Sequence, residues 1–466
     1  MADDIQDIYE LTPLQKGILF HGLYAPEEGL YFIQFSYAVH GSLNIDALKH
    51  AWEQIVTRHT ILRTAFFWEE IDKPLQVVHR QVTVPLKQED WRDLDSVQQA
   101  EHLKSFLIRD RQQGFDFSKP PLMRMTIIRL GEQSYQIVWS KHHLILDGWS
   151  GALVIGEFFQ LYQAFCRGED VSLLPSIPFK DYISWLRKQD LSKAEDYWRN
   201  TLSGVKAATS LAYIEDNDVS SHKEKYDEEI FSLSTTTTAQ LQSLAQQHRL
   251  TLNTLFQGAW ALLLSRYSCS NQVMYGCGVS GRPVDLDGTE SMVGVFINTL
   301  PICVNVDPEQ SLLAWLNQLQ TQLVEMRQYE YSPLIDVQGW SDVPRGFPMF
   351  KSIVVFENYP SAQVDNKEEG ELEFRDFTGF YKTNYPLNII GHPVPELQLG
   401  INYDCRRFKA ATISSMLKHF EILFQDMVAD PNIKLRNLLL LTPAHRQLSQ
   451  TLAKEMAFDF ELVLSH

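Results

Sequence analysis

The run 142–148, His-His-Leu-Ile-Leu-Asp-Gly, concentrates two imidazoles, a carboxylate and a glycine in one short stretch. An imidazole titrates near neutral pH and can take a proton from an attacking nucleophile, so His142 and His143 are candidates for proton handling. Neighbouring strand residues point to opposite faces, which leaves one of the two for a crevice and the other for the core or the strand's far side. The same spacing disfavours a metal pair, which needs two ligands on one face and a carboxylate within reach. Asp147 has two readings: a third catalytic group that orients the imidazole, or a carboxylate that ties the loop down by pairing with a buried arginine. The second is favoured, with Arg63 as partner, because Arg63 stands in the otherwise apolar run 61–66, where a lone charge is costly unless paired. Gly148 supplies backbone freedom and room beside the imidazole. Taken alone, a histidine pair at a strand end is more often structural than catalytic, and Trp149, Phe158 and Phe159 are more often core than ligand platform.

The elements around this run explain why it could be presented to a ligand. Residues 134–140 are rich in β-branched and aromatic types and read as a strand, while 150–167 carry apolar residues at helical spacing, so the motif sits on a strand-to-helix loop. Upstream, Thr12, Pro13 and Gln15 form a capping-box start for a first helix. A strand is predicted over 32–40, a helix over 44–59, a strand over 61–68, an edge strand over 76–78, a helix over 96–113 and a strand over 123–130. Short helices over 179–188 and 194–202 read as a bridge, and the second half repeats the α/β grammar through a helix over 409–427. The expected division is a first lobe over 1–175, a second over 176–450 and a linker over 451–466, with 361–370 a loop candidate for mobility. The His-His-x-x-x-Asp-Gly string occurs once, so a single chemistry is expected in the crevice between two α/β lobes.

Composition narrows the function classes. The chain has 466 residues, 41 basic against 58 acidic, and a net charge of −17, which argues against nucleic acid as partner. The five cysteines are scattered with no C-x-x-C pair, so neither a disulfide framework nor a zinc site is expected. No apolar run approaches the roughly 18 residues of a membrane span, and the first ten residues do not read as a secretory signal, so a cytoplasmic protein without membrane contact is expected.

The order of motifs along the chain resembles a condensation domain of a nonribosomal peptide synthetase, within the wider group that includes chloramphenicol acetyltransferase. The resemblance rests on residues 11–21 (Leu-Thr-Pro-Leu-Gln-Lys-Gly-Ile-Leu-Phe-His), 58–66, 142–150, 179–185, 293–299, 331–333 and 356–360 (Phe-Glu-Asn-Tyr-Pro), and spans about residues 8–441. It implies two acyltransferase-like lobes in a V around a tunnel, entered by the phosphopantetheine arms of an upstream donor and a downstream acceptor carrier protein, with an adenylation domain as neighbour in the parent synthetase. No cofactor would be bound by the domain itself, and the excised domain would be a monomer. His143 would be the catalytic histidine, as general base or as the acceptor that positions the amine. His142, Asp147, Gly148 and Arg63 would support it, and Trp149, Ser150, Asn298, Asn384 and Tyr385 would lie along the tunnel. A floor loop over 281–298 and a latch over 381–391 would come from the second lobe. Residues 11–21, Leu-Asp-Gly-Trp-Ser after the histidines, 280–283 and 356–360 resemble the subtype that joins a donor ending in a D-residue to an L-acceptor. Ester-forming domains, a free-standing coenzyme A acyltransferase and a non-catalytic docking platform are the alternatives. Basic patches at Lys16, Arg187, Lys188, Arg406 and Arg407 are candidate landing points for acidic carriers.

Overall fold

The structure, a computed structural model, describes residues 4–212, 214–215, 226–359, 372–393 and 395–438. The run 361–370 and the tail 451–466 lie outside these residues. In chain order the first elements are β1 (Ile5–Glu10), α1 (Pro13–Tyr24), β2 (Phe32–His40), α2 (Ile45–Arg58), β3 (Thr64–Phe67), β4 (Leu75–His79), β5 (Leu86–Asp90), α3 (Ser96–Gln113), β6 (Met123–Gly131), β7 (Ser134–His142) and α4 (Gly148–Arg167). Then follow α5 (Phe179–Leu186), α6 (Leu191–Thr201), β8 (Tyr226–Ser232), α7 (Thr235–His248), α8 (Leu252–Ser268), β9 (Gln272–Val279), β10 (Asn298–Asn305), α9 (Leu312–Met326) and α10 (Leu334–Trp340). The last are β11 (Ser352–Phe356), β12 (Glu373–Tyr381), β13 (Leu387–Pro393), β14 (Leu397–Asp404) and α11 (Ala410–Ala429).

Three sheets result, ordered β1-β4-β3, β12-β2-β7-β6-β5 and β10-β9-β11-β13-β14-β8. β7 is the middle strand of the second of these and is buried over nearly its whole length, so the loop that follows it starts from a rigid base. Its apolar side chains join a core with Trp52, Phe66, Leu144 to Leu146 and Val154, whereas Phe256, Trp260, Trp315 and Phe420 build a second core around the six-stranded sheet. α5 packs into the first core and α6 into the second.

Strand β12 joins the two halves. It comes from late in the chain, yet pairs antiparallel with β2, Tyr381 opposite Ile33 and Gly379 opposite Phe35, and thereby covers an edge that would otherwise expose unpaired backbone groups. The expected latch over 381–391 is shifted toward the N-terminus: the crossing strand is Glu373–Tyr381, Lys382 and Asn384 after it still bond Glu28 at 2.7 Å and Tyr31 at 2.6 Å in the first half, and the apolar residues Leu387 to Ile390 lie in β13, between β11 and β14 of the six-stranded sheet. Residues 76–78 are likewise not an edge, because β4 is the central strand between β1 and β3.

Candidate active site

The loop after β7 splits the histidines between two environments. His142 turns into the core, where its ring lies 4.7 Å from Phe117 and its Nδ1 accepts from Leu144 N at 3.3 Å. Burial, with the neighbouring His143 adding to it, pushes its pKa down to about 3, which keeps it neutral. His143 lies on the other face and lines a cavity of about 1800 Å³. Its main-chain N–H donates to Tyr31 O at 2.9 Å, the Tyr31 ring stands edge-on at 6.3 Å, and its buried Nδ1 has no hydrogen-bond partner in another residue among the described residues. Burial lowers the His143 pKa, and the charge of Lys141 lowers it further, against its own main chain, Asp147 and Glu357. The imidazole is therefore neutral and able to accept a proton near pH 7.

The cavity is bounded by both halves. α1 contributes Lys16 and Phe20, β2 Ile33 and Phe35, α4 Gly148, Gly151 and Ile155, α10 Ile335 and Asp336, and β12 Phe374 and Phe377. It reaches the surface at exposed Phe20 and Ile335, and again at exposed Phe377. Farther along the wall Glu357 pairs with His392 at 3.2 Å, and Tyr381 donates to Glu228 at 2.8 Å.

Asp147 is held by the other half of the chain. It caps α4 by accepting from Ser150 N at 2.7 Å, and its second oxygen accepts from Phe296 N at 2.9 Å and Ile297 N at 3.4 Å. Arg282 approaches it at 3.7 Å, donates to Ser150 Oγ at 2.8 Å and to Met292 O at 3.0 Å, and also bonds the Thr289 carbonyl. The Ser150 hydroxyl in turn accepts from Gly294 N at 3.1 Å. One carboxylate and one guanidinium, both almost fully buried, thus pin the floor segment 281–298 to the first turn of α4.

A family model described as Condensation domain matches residues 5–448. The chain belongs to the condensation-domain family. One of the linear gramicidin synthase proteins of Brevibacillus parabrevis is 41% identical over 473 residues, which cover 99% of this chain and 9% of that protein. Surfactin synthase subunit 3 of Bacillus subtilis (strain 168) is 34% identical across 96% of this chain and 35% of that protein. The chain thus spans only about a tenth to a third of the length of these two relatives. Among solved structures, a four-domain nonribosomal peptide synthetase bound to AMP and glycine matches with a TM-score of 0.78 at 19% identity, over 94% of this chain and 34% of that one. The starter condensation domain of rhizomide synthetase in complex with C8-CoA matches at 0.77 and 16% identity, over 93% and 98% of the two chains. The fold is the two-lobed, chloramphenicol-acetyltransferase-like α/β fold. No helix among the described residues of this condensation domain is long and apolar enough to cross a membrane.

Several expected positions move. Arg63 does not pair with Asp147. It sits in a 3-10 turn at the end of α2, where Nε donates to Val56 O at 2.9 Å, Nη1 to Gln6 Oε1 at 2.9 Å and Arg80 O at 3.2 Å, and Nη2 to Thr57 O at 3.2 Å, with the His79 carbonyl also bonded. Carbonyl oxygens left over at a helix end and a strand end satisfy it, so no carboxylate is needed. Trp149 and Ser150 do not line the cavity: Trp149 Nε1 donates to Glu290 O at 2.9 Å, and Ser150 lies in the Arg282 network. Helical rotation explains this, since Gly148, Gly151, Ala152, Ile155 and Phe159 form the stripe of α4 that faces the cavity. The space at Gly148 is taken by the other half, for a Cβ there would stand 2.3 Å from the Tyr359 hydroxyl.

Asn298, Asn384 and Tyr385 do line the cavity. Asn298 donates to Ser332 O at 2.7 Å and Glu330 O at 2.9 Å, Asn384 accepts from the Tyr31 hydroxyl at 2.6 Å, and Tyr385 stacks on Phe350 at 5.2 Å. Of the proposed landing cations, Lys16 and Arg187 face Glu10 at 3.7 and 3.6 Å, and Arg406 is paired with Asp404 at 2.8 Å. Three contributors were not read from the sequence as part of the site. Gln15 closes its capping box and also donates to Leu144 O at 2.9 Å, so the first helix braces the histidine loop. Arg282 belongs to the run 280–283, where nothing in the spacing points to a partner as distant as Asp147. Lys141 shares the His143 face of β7, and strand alternation alone would have found it.

Proposed function

We propose that this domain forms a peptide bond between a donor peptidyl or aminoacyl thioester and an acceptor aminoacyl thioester, each on the phosphopantetheine arm of a carrier protein. The observation that carries the reading is a neutral, cavity-facing His143 in a space walled by both halves and reaching the surface at two sets of residues. The acceptor amine attacks the donor carbonyl carbon, the C–N bond forms and the C–S bond breaks. His143 takes the amine's proton or holds the amine by accepting a hydrogen bond, and the departing thiolate ends as a thiol. Asp147, Ser150 and Arg282 keep the loop in place, while His142 and Gly148 support it. The resemblance of residues 11–21, 280–283 and 356–360 favours a D-configured donor end and an L-acceptor. The expected setting is a cytoplasmic synthetase with an adenylation domain nearby, an N-terminal lobe to about residue 175 and a linker after 450.

The test is intact-mass analysis of the acceptor carrier after mixing with a loaded donor carrier. The wild type should produce the dipeptidyl carrier, and His143→Ala should abolish it while leaving the melting temperature unchanged. Transfer at the wild-type rate by His143→Ala removes His143 from the chemistry. Product only from acyl-coenzyme A and free amine would instead mark a free-standing acyltransferase.

A further inference from the structure

We propose that the Lys141 ammonium receives the carbonyl oxygen of the donor acyl thioester and carries the negative charge that develops on it during attack. The inference rests on the condensation reading and adds to it a second group on the reacting atoms.

Lys141 lies on β7 two residues before His143, which follows the strand's last residue, and both side chains line the same cavity. Only 2% of Lys141 is exposed. The amine lies 4.9 Å from the Trp139 ring and 5.8 Å from the Phe35 ring. Gly151 on α4 leaves room for it, since a Cβ there would stand 2.9 Å from Nζ. It forms no side-chain hydrogen bond or ion pair among the described residues. The carboxylate that acts on it, Asp147, is already engaged by three main-chain N–H groups and Arg282. A buried ammonium without an acceptor costs several kcal/mol, and the acceptor it lacks is one that a substrate oxygen can supply.

Charge logic supports the assignment. Burial lowers the Lys141 pKa to about 8, with Asp147 opposing, so the cation still predominates at neutral pH. The same charge helps keep His143 neutral. One wall therefore presents a neutral base and a fixed cation. During attack the carbonyl π electrons move to oxygen, beside the ammonium. On collapse they re-form the carbonyl and expel the thiolate, which takes up the proton released by the amine. Lys141 keeps its own proton throughout. In a water-poor site such a donor is typically worth about 10²–10³ in rate.

The experiment measures single-turnover transfer between loaded carriers. At pH 7 Lys141→Met should lower the rate about 100-fold without lowering the melting temperature, and Lys141→Arg should restore most of it. The groups facing the amine are His143, just past the end of its strand, and Asp147 at the start of α4; Trp139 and Phe35 carry no charge. The wild-type to Lys141→Met rate ratio should therefore shrink as pH rises through about 8, where the ammonium is lost. A Lys141→Met rate within threefold of wild type, or a ratio independent of pH, overturns the proposal. Should Lys141→Met fail to fold, acetic anhydride labelling of wild-type Lys141 decides: loaded donor carrier must slow it, and unchanged labelling overturns the proposal. A wild type that forms no dipeptide removes the condensation reading, and the labelling arm still judges Lys141.

Discussion

The two ends of the segment between β7 and α4 are held in opposite ways. At Asp147 every visible interaction is spoken for: three main-chain N–H groups and Arg282 converge on one carboxylate, most of them from the floor segment of the other half. At His143 the main chain is fixed through Tyr31 O, while the imidazole faces the cavity with Nδ1 unpartnered among the described residues. A buried carboxylate whose oxygens are all engaged rigidifies its surroundings, whereas an unsatisfied imidazole nitrogen is costly and persists where a ligand or reaction uses it. The motif thus divides into an anchored end and an available end, a few residues apart.

The largest expected effect comes from breaking the anchored end. Asp147→Ala leaves the Arg282 guanidinium buried without its carboxylate and should cost about 3–5 kcal/mol. Denaturant unfolding measures it, and the double variant with Arg282→Met should recover a substantial part, because both charges are then gone. An Asp147→Ala protein with unchanged stability would show that the floor segment is held by something else. Arg63→Met combined with Asp147→Ala should be additive, since the two side chains share no partner.

That last pair shows what the sequence could and could not reveal. The strand, loop and helix around the histidines were legible because apolar periodicity switches from alternation to helical spacing there. The capping box at Thr12 was legible for the same local reason. That Asp147 needs a buried cation was also legible, but its identity was not. Arg63 and Arg282 each lie far from position 147 in sequence, and an arginine's need for acceptors can be met by carbonyl oxygens that leave no mark on side-chain patterns. For β12 the strand itself was legible, over 371–377, but its partner was not, because its place is set by the free edge of β2, far away in sequence.

A second effect separates the two histidines themselves. The His142 pKa of about 3 lies well below the ordinary value, so the unfolded chain binds a proton that the folded chain refuses between these limits. The stability tied to neutral His142 is full above pH 6.5 and is lost as pH falls; at pH 4 the loss is roughly 3 kcal/mol. Comparing His142→Gln with wild type from pH 7 to pH 4 isolates this contribution. The variant, whatever its offset at pH 7, should lose less stability over that range. Equal slopes would mean that His142 is not buried neutral.

The smallest effect probes the glycine beside the anchored end, whose neighbour from the other half lines the cavity of the available end. Gly148 lets Tyr359 of the other half rest against the first turn of α4, and a single methyl group there would collide with the phenol ring. Overpacking of this kind costs about 1–3 kcal/mol, so Gly148→Ala should destabilise modestly and slow transfer more than it unfolds the protein, because the displaced ring belongs to the wall of the cavity that holds His143. Tyr359→Ala removes the obstacle. If the collision is the cause, Gly148→Ala should be nearly neutral for stability in the Tyr359→Ala background. If the penalty persists there, the glycine is needed for its own backbone, and the contact between the halves at this point is incidental.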